Sequence, residues 1–148
     1  AIEYVKKCQD SKGAFGYKRG KNGKASLTGT GILSLQIWKN AKSEEARQGL
    51  EWVIQNEAIK TEWSKINLYG WYYNTQACFQ AAGTQGGARF WRAWNTNFQR
   101  VLCSNQSSNG SWPAGGHFEG DSNIFRTTLA ILMLEVYYRF LPIYSILY

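Results

Sequence analysis

Proline occurs only twice in these 148 residues, and glycine and serine are confined to short connections, so no linker separates independent parts. The expectation is one domain spanning residues 1–148, large enough to bury roughly 70% of the surface its unfolded chain would expose. Cysteine is sparse too: Cys8, Cys78 and Cys103 are odd in number and widely spaced. That excludes a disulfide framework and a CxxC metal knuckle, while leaving one bridge open. No long apolar run is present. The most apolar stretch, Leu129 to Leu134, stops at Glu135 and Arg139, too short to span a bilayer, so no transmembrane segment is expected. An initiator methionine and a signal peptide are also missing at Ala1-Ile2-Glu3-Tyr4. This is the pattern expected of a piece, here a C-terminal fragment, of a longer protein.

Acidic residues are few, 10 against 17 basic, giving a net charge of +7. The loop Lys18-Arg19-Gly20-Lys21-Asn22-Gly23-Lys24 concentrates four of the positive charges. Either it is a solvated loop that keeps the protein soluble, or it meets a phosphate-bearing ligand or an anionic membrane surface. Single-stranded nucleic acid would need rings interleaved with cations along a groove, and most aromatics sit in apolar runs instead. No nucleic-acid partner is therefore expected.

Aromatics are abundant: seven Trp, nine Tyr and seven Phe make up 16% of the chain, which excludes disorder. They fall into a repeat. A glutamine is followed 20 to 22 residues later by a threonine opening an apolar run, at Gln9 and Thr30, Gln55 and Thr75, Gln106 and Thr128. Gln9-Asp-Ser-Lys-Gly13-Ala-Phe15 and Gln106-Ser-Ser-Asn-Gly110-Ser-Trp112 share glutamine, glycine and an aromatic at the same offsets, whereas the copy from Gln55 to Trp63 is stretched and lacks the glycine. Units spaced 46 and 51 residues apart, from 9 to 55 to 106, imply stacked supersecondary units, since one alone cannot bury its apolar face.

Each unit reads as a helical hairpin. The first members are amphipathic: Phe90, Trp91, Trp94, Phe98, Val101 and Leu102 share one stripe, as do Ala46, Leu50, Val53 and Ile54, with Ser43 as a cap before Glu44 and Glu45. Ile2 to Cys8 is a truncated example. The second members, Ile32–Trp38, Tyr69–Ala82 and Ile124–Leu141, are apolar nearly all round and read as helices packed on both sides. Asp121, Ser122 or Asn123 caps the last, and Pro142 ends it. The fold expected is all-α, about six helices in three hairpins with a glutamine-marked bend within each. In such a bend the glutamine bonds orphan backbone groups, the glycine turns sharply and the aromatic covers the connection.

The segment Gln106 to Trp112, preceded by Val101-Leu102, resembles the QW motif of squalene-hopene cyclases and the prenyltransferase/squalene oxidase repeat. Gln9 to Phe15 is similar, with Phe for Trp. The runs Trp71-Tyr-Tyr-Asn-Thr-Gln-Ala77, Phe90-Trp-Arg-Ala-Trp-Asn95 and Leu134-Glu-Val-Tyr-Tyr-Arg-Phe-Leu-Pro142 resemble uncharacterised bacterial prenyltransferase-like repeat proteins. The resemblance covers nearly the whole chain and implies an (α/α) toroid, or an arc of one, with inner helices lining a cavity. The family's catalytic residues have no counterparts. Cyclases of this type protonate their substrate through DxDD, and the prenyltransferases hold zinc through Asp-x-Cys and a distant His. This chain's aspartates are only Asp10 and Asp121, neither two positions before a cysteine.

No catalytic residue, metal or cofactor is therefore assigned. Candidate ligand-binding residues are the aromatic cluster Tyr69, Trp71, Tyr72 and Tyr73, of which only part can face a cavity, and the pair His117 and Asp121 at the mouth of the last apolar helix. The function expected is a noncatalytic repeat domain binding an apolar, isoprenoid-like ligand or a partner polypeptide on its inner face. The alternatives are the C-terminal part of a larger enzyme with its catalytic residues upstream, and a module that completes a ring by homodimerisation. A loop role for His117 predicts that His117→Ala changes stability by less than about 1 kcal/mol in urea denaturation. Loss of the fold would place the ring in the core.

Overall fold

The computed structural model describes residues 1–38, 41–115 and 121–139. Over them the chain is helical: α1 Ile2–Lys7, α2 Ala25–Ile37, α3 Glu44–Asn56, α4 Leu68–Ala81, α5 Ala88–Asn105, α6 Asn123–Leu134 and α7 Val136–Arg139, with a 3-10 turn at Trp63–Lys65. The described residues contain no β-strand, only one isolated bridge between Gln9 and Phe15. The expected all-α class is thus found. Pro142 and the stretch 140–148 lie outside the described residues.

Two layers result. The apolar helices α2, α4 and α6 pack side by side, α4 in the middle. The amphipathic helices lie against them: α1 on α2, α3 on α2 and α4 and beside α5, and α5 on α4. Between layers, the closest packing joins α2 to α3 and α4 to α5, across short turns, rather than the pairs joined by glutamine bends. The reason is geometric. Short turns force antiparallel neighbours together, while the bends leave room for a buried aromatic.

Local chemistry fixes the helix starts. The Ser43 hydroxyl accepts from the Ala46 amide of α3 (3.2 Å), with Glu44 and Glu45 in its first turn. Asn67 Oδ1 accepts from Gly70 N (3.0 Å) for α4, and Ser122 Oγ from Phe125 N (3.2 Å) for α6. The helix expected at Ile32 begins instead at Ala25. Gly29 and Gly31, ahead of the expected start, sit inside α2 where it meets α4 and Phe15. A Cβ on Gly29 would stand 2.5 Å from Asn74 N, and one on Gly31 2.3 Å from the Phe15 ring. Helix propensity is given up there for close approach.

The first and third bends share the same closing hydrogen bonds. Gln9 Nε2 donates to Gly13 O (2.9 Å) and Gln106 Nε2 to Gly110 O (3.0 Å). Asp10 N donates to Ala14 O and Ser107 N to Ser111 O, both at 2.8 Å. Gly13 and Gly110 take φ of 95° and 85°, the left-handed region that glycine enters without strain. The amide of Phe15 donates to Thr28 Oγ1 (3.2 Å) and that of Trp112 to Thr127 Oγ1 (2.9 Å). The threonines that receive the bends are thus Thr28 and Thr127, not the repeat-marking Thr30 and Thr128. Gln9 reaches further, to Glu45 O of α3 (2.8 Å), which ties the first bend to the next amphipathic helix.

The middle copy is built differently. Gln55 is exposed within α3, and the buried Glu57 takes over just after that helix, accepting from Trp71 Nε1 (3.1 Å) and Lys60 Nζ (2.7 Å). Asn97 of α5 adds a bond to Lys60 O (2.8 Å). Trp63 caps this connection, and its indole donates to Pro113 O (2.8 Å), linking the second and third bends.

Two tests follow from the bends. Trp112 is 3% exposed, with Nε1 bonded to Leu102 O (2.9 Å), so Trp112→Ala should destabilise by about 3–5 kcal/mol in urea titration. A loss under about 1 kcal/mol would mean that the ring is not a core element. For Asp10, burial pushes the carboxyl up, but the amides of Gly23, Lys12 and Ala14 and the charge of Lys12 outweigh it, leaving the group below its ordinary 3.8. A depressed carboxyl stabilises above its unfolded pKa and ceases to as pH falls through the folded one. Asp10→Asn should therefore be less stable than the parent at neutral pH, with the gap closing below about pH 4. A gap independent of pH would contradict this.

Candidate functional site

The sequence gathers four aromatics at the start of α4, and the helix divides them. Trp71 points into the core and is fully buried, its ring edge-on to Trp94 at 5.1 Å and its indole bonded to Glu57. Trp94 Nε1 in turn donates to Thr75 Oγ1 (2.9 Å), which donates to Trp71 O (2.8 Å). Every polar atom of this cluster is engaged, so Trp71 holds α4 to α5 and offers no face to a ligand.

Tyr69, Tyr72 and Tyr73 lie on the other side of the helix, none of them buried. Tyr69 and Tyr73 meet edge to face at 5.1 Å, and Tyr72 and Tyr73 at 5.0 Å. Positions 69, 72 and 73 share one helical stripe, which makes a continuous aromatic row. Burial pushes the Tyr73 phenol above its ordinary 10.0, and its hydrogen bond with Tyr69 and the nearby Tyr69 and Tyr72 phenols add to this. The row presents ring edges and hydroxyls, with the Tyr73 phenol held in its neutral form. Beside it, the seam between α2 and α4 holds polar atoms with no hydrogen bond among the described residues: Thr30 Oγ1, Gln36 Oε1 and both amide atoms of Asn74.

Asp121 does not stand ready for a ligand. Its Oδ1 pairs with Arg126 Nε at 2.7 Å and its Oδ2 accepts from Gly115 N (2.9 Å), both side chains being fully buried. The Arg126 guanidinium also donates to Trp63 O and Ile66 O, each at 3.0 Å, and lies 4.7 Å from the Trp63 ring centre. A Cβ on Gly115 would come within 1.9 Å of Arg126 Nη2, so only glycine fits. Asp121 thus serves as counter-ion to an arginine that stitches α6 to the middle connection. His117, the residue expected beside it, lies outside the described residues.

Arg126 and Glu57 are the residues that sequence reasoning passed over. A signal existed: Arg126 is a lone cation in an otherwise apolar helix, and a charge in such a place needs a partner. The cysteines are all free. Cys78 is wholly buried and desolvation pushes its thiol up, while Cys8 is buried and Cys103 exposed. No group of three His, Cys, Asp or Glu residues suited to a metal occurs among the described residues. Nor is any described helix long and apolar enough to cross a membrane. An open cleft of about 360 Å³, lined among others by Lys42, Arg47, Arg89 and Phe90, lies between α3 and α5, away from the tyrosines.

Comparison with protein-family models, with curated proteins and with solved structures gives no significant match to this chain.

Removing one member of a buried ion pair leaves the other uncompensated. Asp121→Ala should cost about 3–5 kcal/mol, and Asp121→Ala with Arg126→Met should cost clearly less than the sum of the two single losses in equilibrium unfolding. Additive losses in the double variant would show that the two side chains act independently.

Proposed function

We propose that the chain is a noncatalytic repeat domain of the prenyltransferase and squalene-cyclase type, an arc of an (α/α) toroid that binds an extended apolar ligand along α4. The observation that carries this reading is the row Tyr69, Tyr72 and Tyr73. Aromatic rings set edge to face are found in most cores, but these three are left partly open on the helix that has apolar helices on both sides. A row of that kind stacks well on a flat or unsaturated hydrocarbon, and its hydroxyls leave one rim polar. The repeated bends at Gln9 and Gln106 support the scaffold part of the reading, since they recur with the same bonds.

A second reading, association of two copies, draws on a different observation. Ile124, Ile131 and Tyr138 are 81%, 46% and 84% exposed, at the end of the helical array away from α2. Apolar side chains this exposed commonly mark contact surfaces.

Farnesol titration followed by calorimetry tests the first reading. Binding that Tyr69→Ala with Tyr73→Ala weakens at least tenfold, about 1.4 kcal/mol, with the circular dichroism unchanged, is the expected result. No binding, or binding indifferent to that pair, would refute it. Light scattering tests the second: a dimer that Ile124→Lys dissociates is expected, and a monomer at high concentration would contradict it.

A further inference from the structure

The positive charge of this molecule is collected at one end. Residues 1–24 carry seven of the 17 basic side chains and two of the 10 acidic ones, a net +5 out of +7. The fold brings them together, because the loop after the first bend folds back onto the end of α1. Gly20 N donates to Lys7 O (2.8 Å) and Gly16 N to Cys8 O (2.9 Å). Lys7, Lys18, Arg19, Lys21 and Lys24 are all exposed, and none has an ion-pair partner among the described residues.

The acidic groups nearby do not neutralise this surface. Glu45 is paired with Lys6 at 3.4 Å, Asp10 is turned inward to the amides of Gly23, Lys12 and Ala14, and Glu3 alone stands free on α1. Two tyrosines sit among the cations. Arg19 lies 5.3 Å from the ring centre of Tyr4 and Lys24 5.3 Å from that of Tyr17, the rings being 48% and 68% exposed. Gly20, at the turn of the loop, has φ of 59° and nothing within 4 Å of where a Cβ would stand.

We propose that this end of the molecule is a docking surface for anionic phospholipid. Five exposed cations without ion-pair partners, on the end of α1 and the loop that folds back onto it, match a plane of negative headgroups, and tyrosine, apolar in body and polar at its tip, suits the interface depth. Single-stranded nucleic acid fits less well, since it needs ring faces open for bases to stack on, whereas here a cation lies by each ring.

Co-sedimentation with phosphatidylcholine vesicles, plain or containing about 30% phosphatidylserine, tests the proposal. Binding should require the anionic lipid and disappear at about 0.5 M salt. Lys18→Glu, Arg19→Glu, Lys21→Glu and Lys24→Glu together should weaken it by at least about a hundredfold, since each cation near such a surface is worth roughly fivefold. If that variant misfolds by circular dichroism, Lys18→Gln with Lys21→Gln, at exposed positions, should still show a loss of at least about tenfold. Equal binding to plain vesicles, binding insensitive to salt, no binding at low salt, or tighter binding to a single-stranded oligonucleotide would each overturn the assignment.

Discussion

Every helix pair in this protein depends on one constraint: the chain must turn between layers without leaving its backbone groups unpaired. An irregular segment packed against a core cannot turn to water for its hydrogen bonds, so something in the sequence has to supply them. The solution at the first and third bends is the same. A glutamine amide closes the turn on a glycine carbonyl, a left-handed glycine makes the corner, and a threonine hydroxyl on the following helix receives the aromatic's amide. With those groups satisfied, Phe15 and Trp112 are free to sink between the layers as apolar wedges. Helix packing then follows from where the bends point.

The middle of the molecule solves the same problem with charge. Glu57 takes the place of a glutamine amide, and Arg126 reaches from α6 to two carbonyls of the connection that carries Trp63. Such groups cost several kcal/mol to desolvate and are tolerated only when each charged nitrogen or oxygen has a hydrogen-bond partner. Arg126 meets that condition through Asp121, Trp63 and Ile66, which explains why a fully buried guanidinium is compatible with an apolar helix. Because Asp121 is spent on this pair, the candidate site contracts to the tyrosines of α4.

Much of the fold was readable because its signals are local. The amphipathic stripes of α3 and α5, the cap at Ser43, a cap within Asp121-Ser122-Asn123, and the glutamine-glycine-aromatic spacing are all properties of short segments. What escaped depends on contacts between segments. Gly29 and Gly31 look like helix breakers until α4 and Phe15 are laid against them. Trp71 looks like its tyrosine neighbours until Glu57 and Trp94 claim it. Asp121 pairs with Arg126 five residues on, but an aspartate just before a helix reads first as a cap, and only the packing of α6 on the middle connection shows it to be a counter-ion. The substitution of Glu57 for the middle glutamine had no local signature at all.

Scaffold and surfaces divide the labour: bends and buried charges hold the layers, leaving a tyrosine row on α4 and a cationic end at α1 and its following loop. The claim on which the whole account stands is that the bends at Gln9 and Gln106 are the same structural device. Amide hydrogen exchange at Phe15 and Trp112 tests it most directly, since both amides are held by a threonine hydroxyl. Protection of both, at levels close to those of the flanking helices, is the predicted result. Exchange of either amide at the rate of an open loop would contradict it.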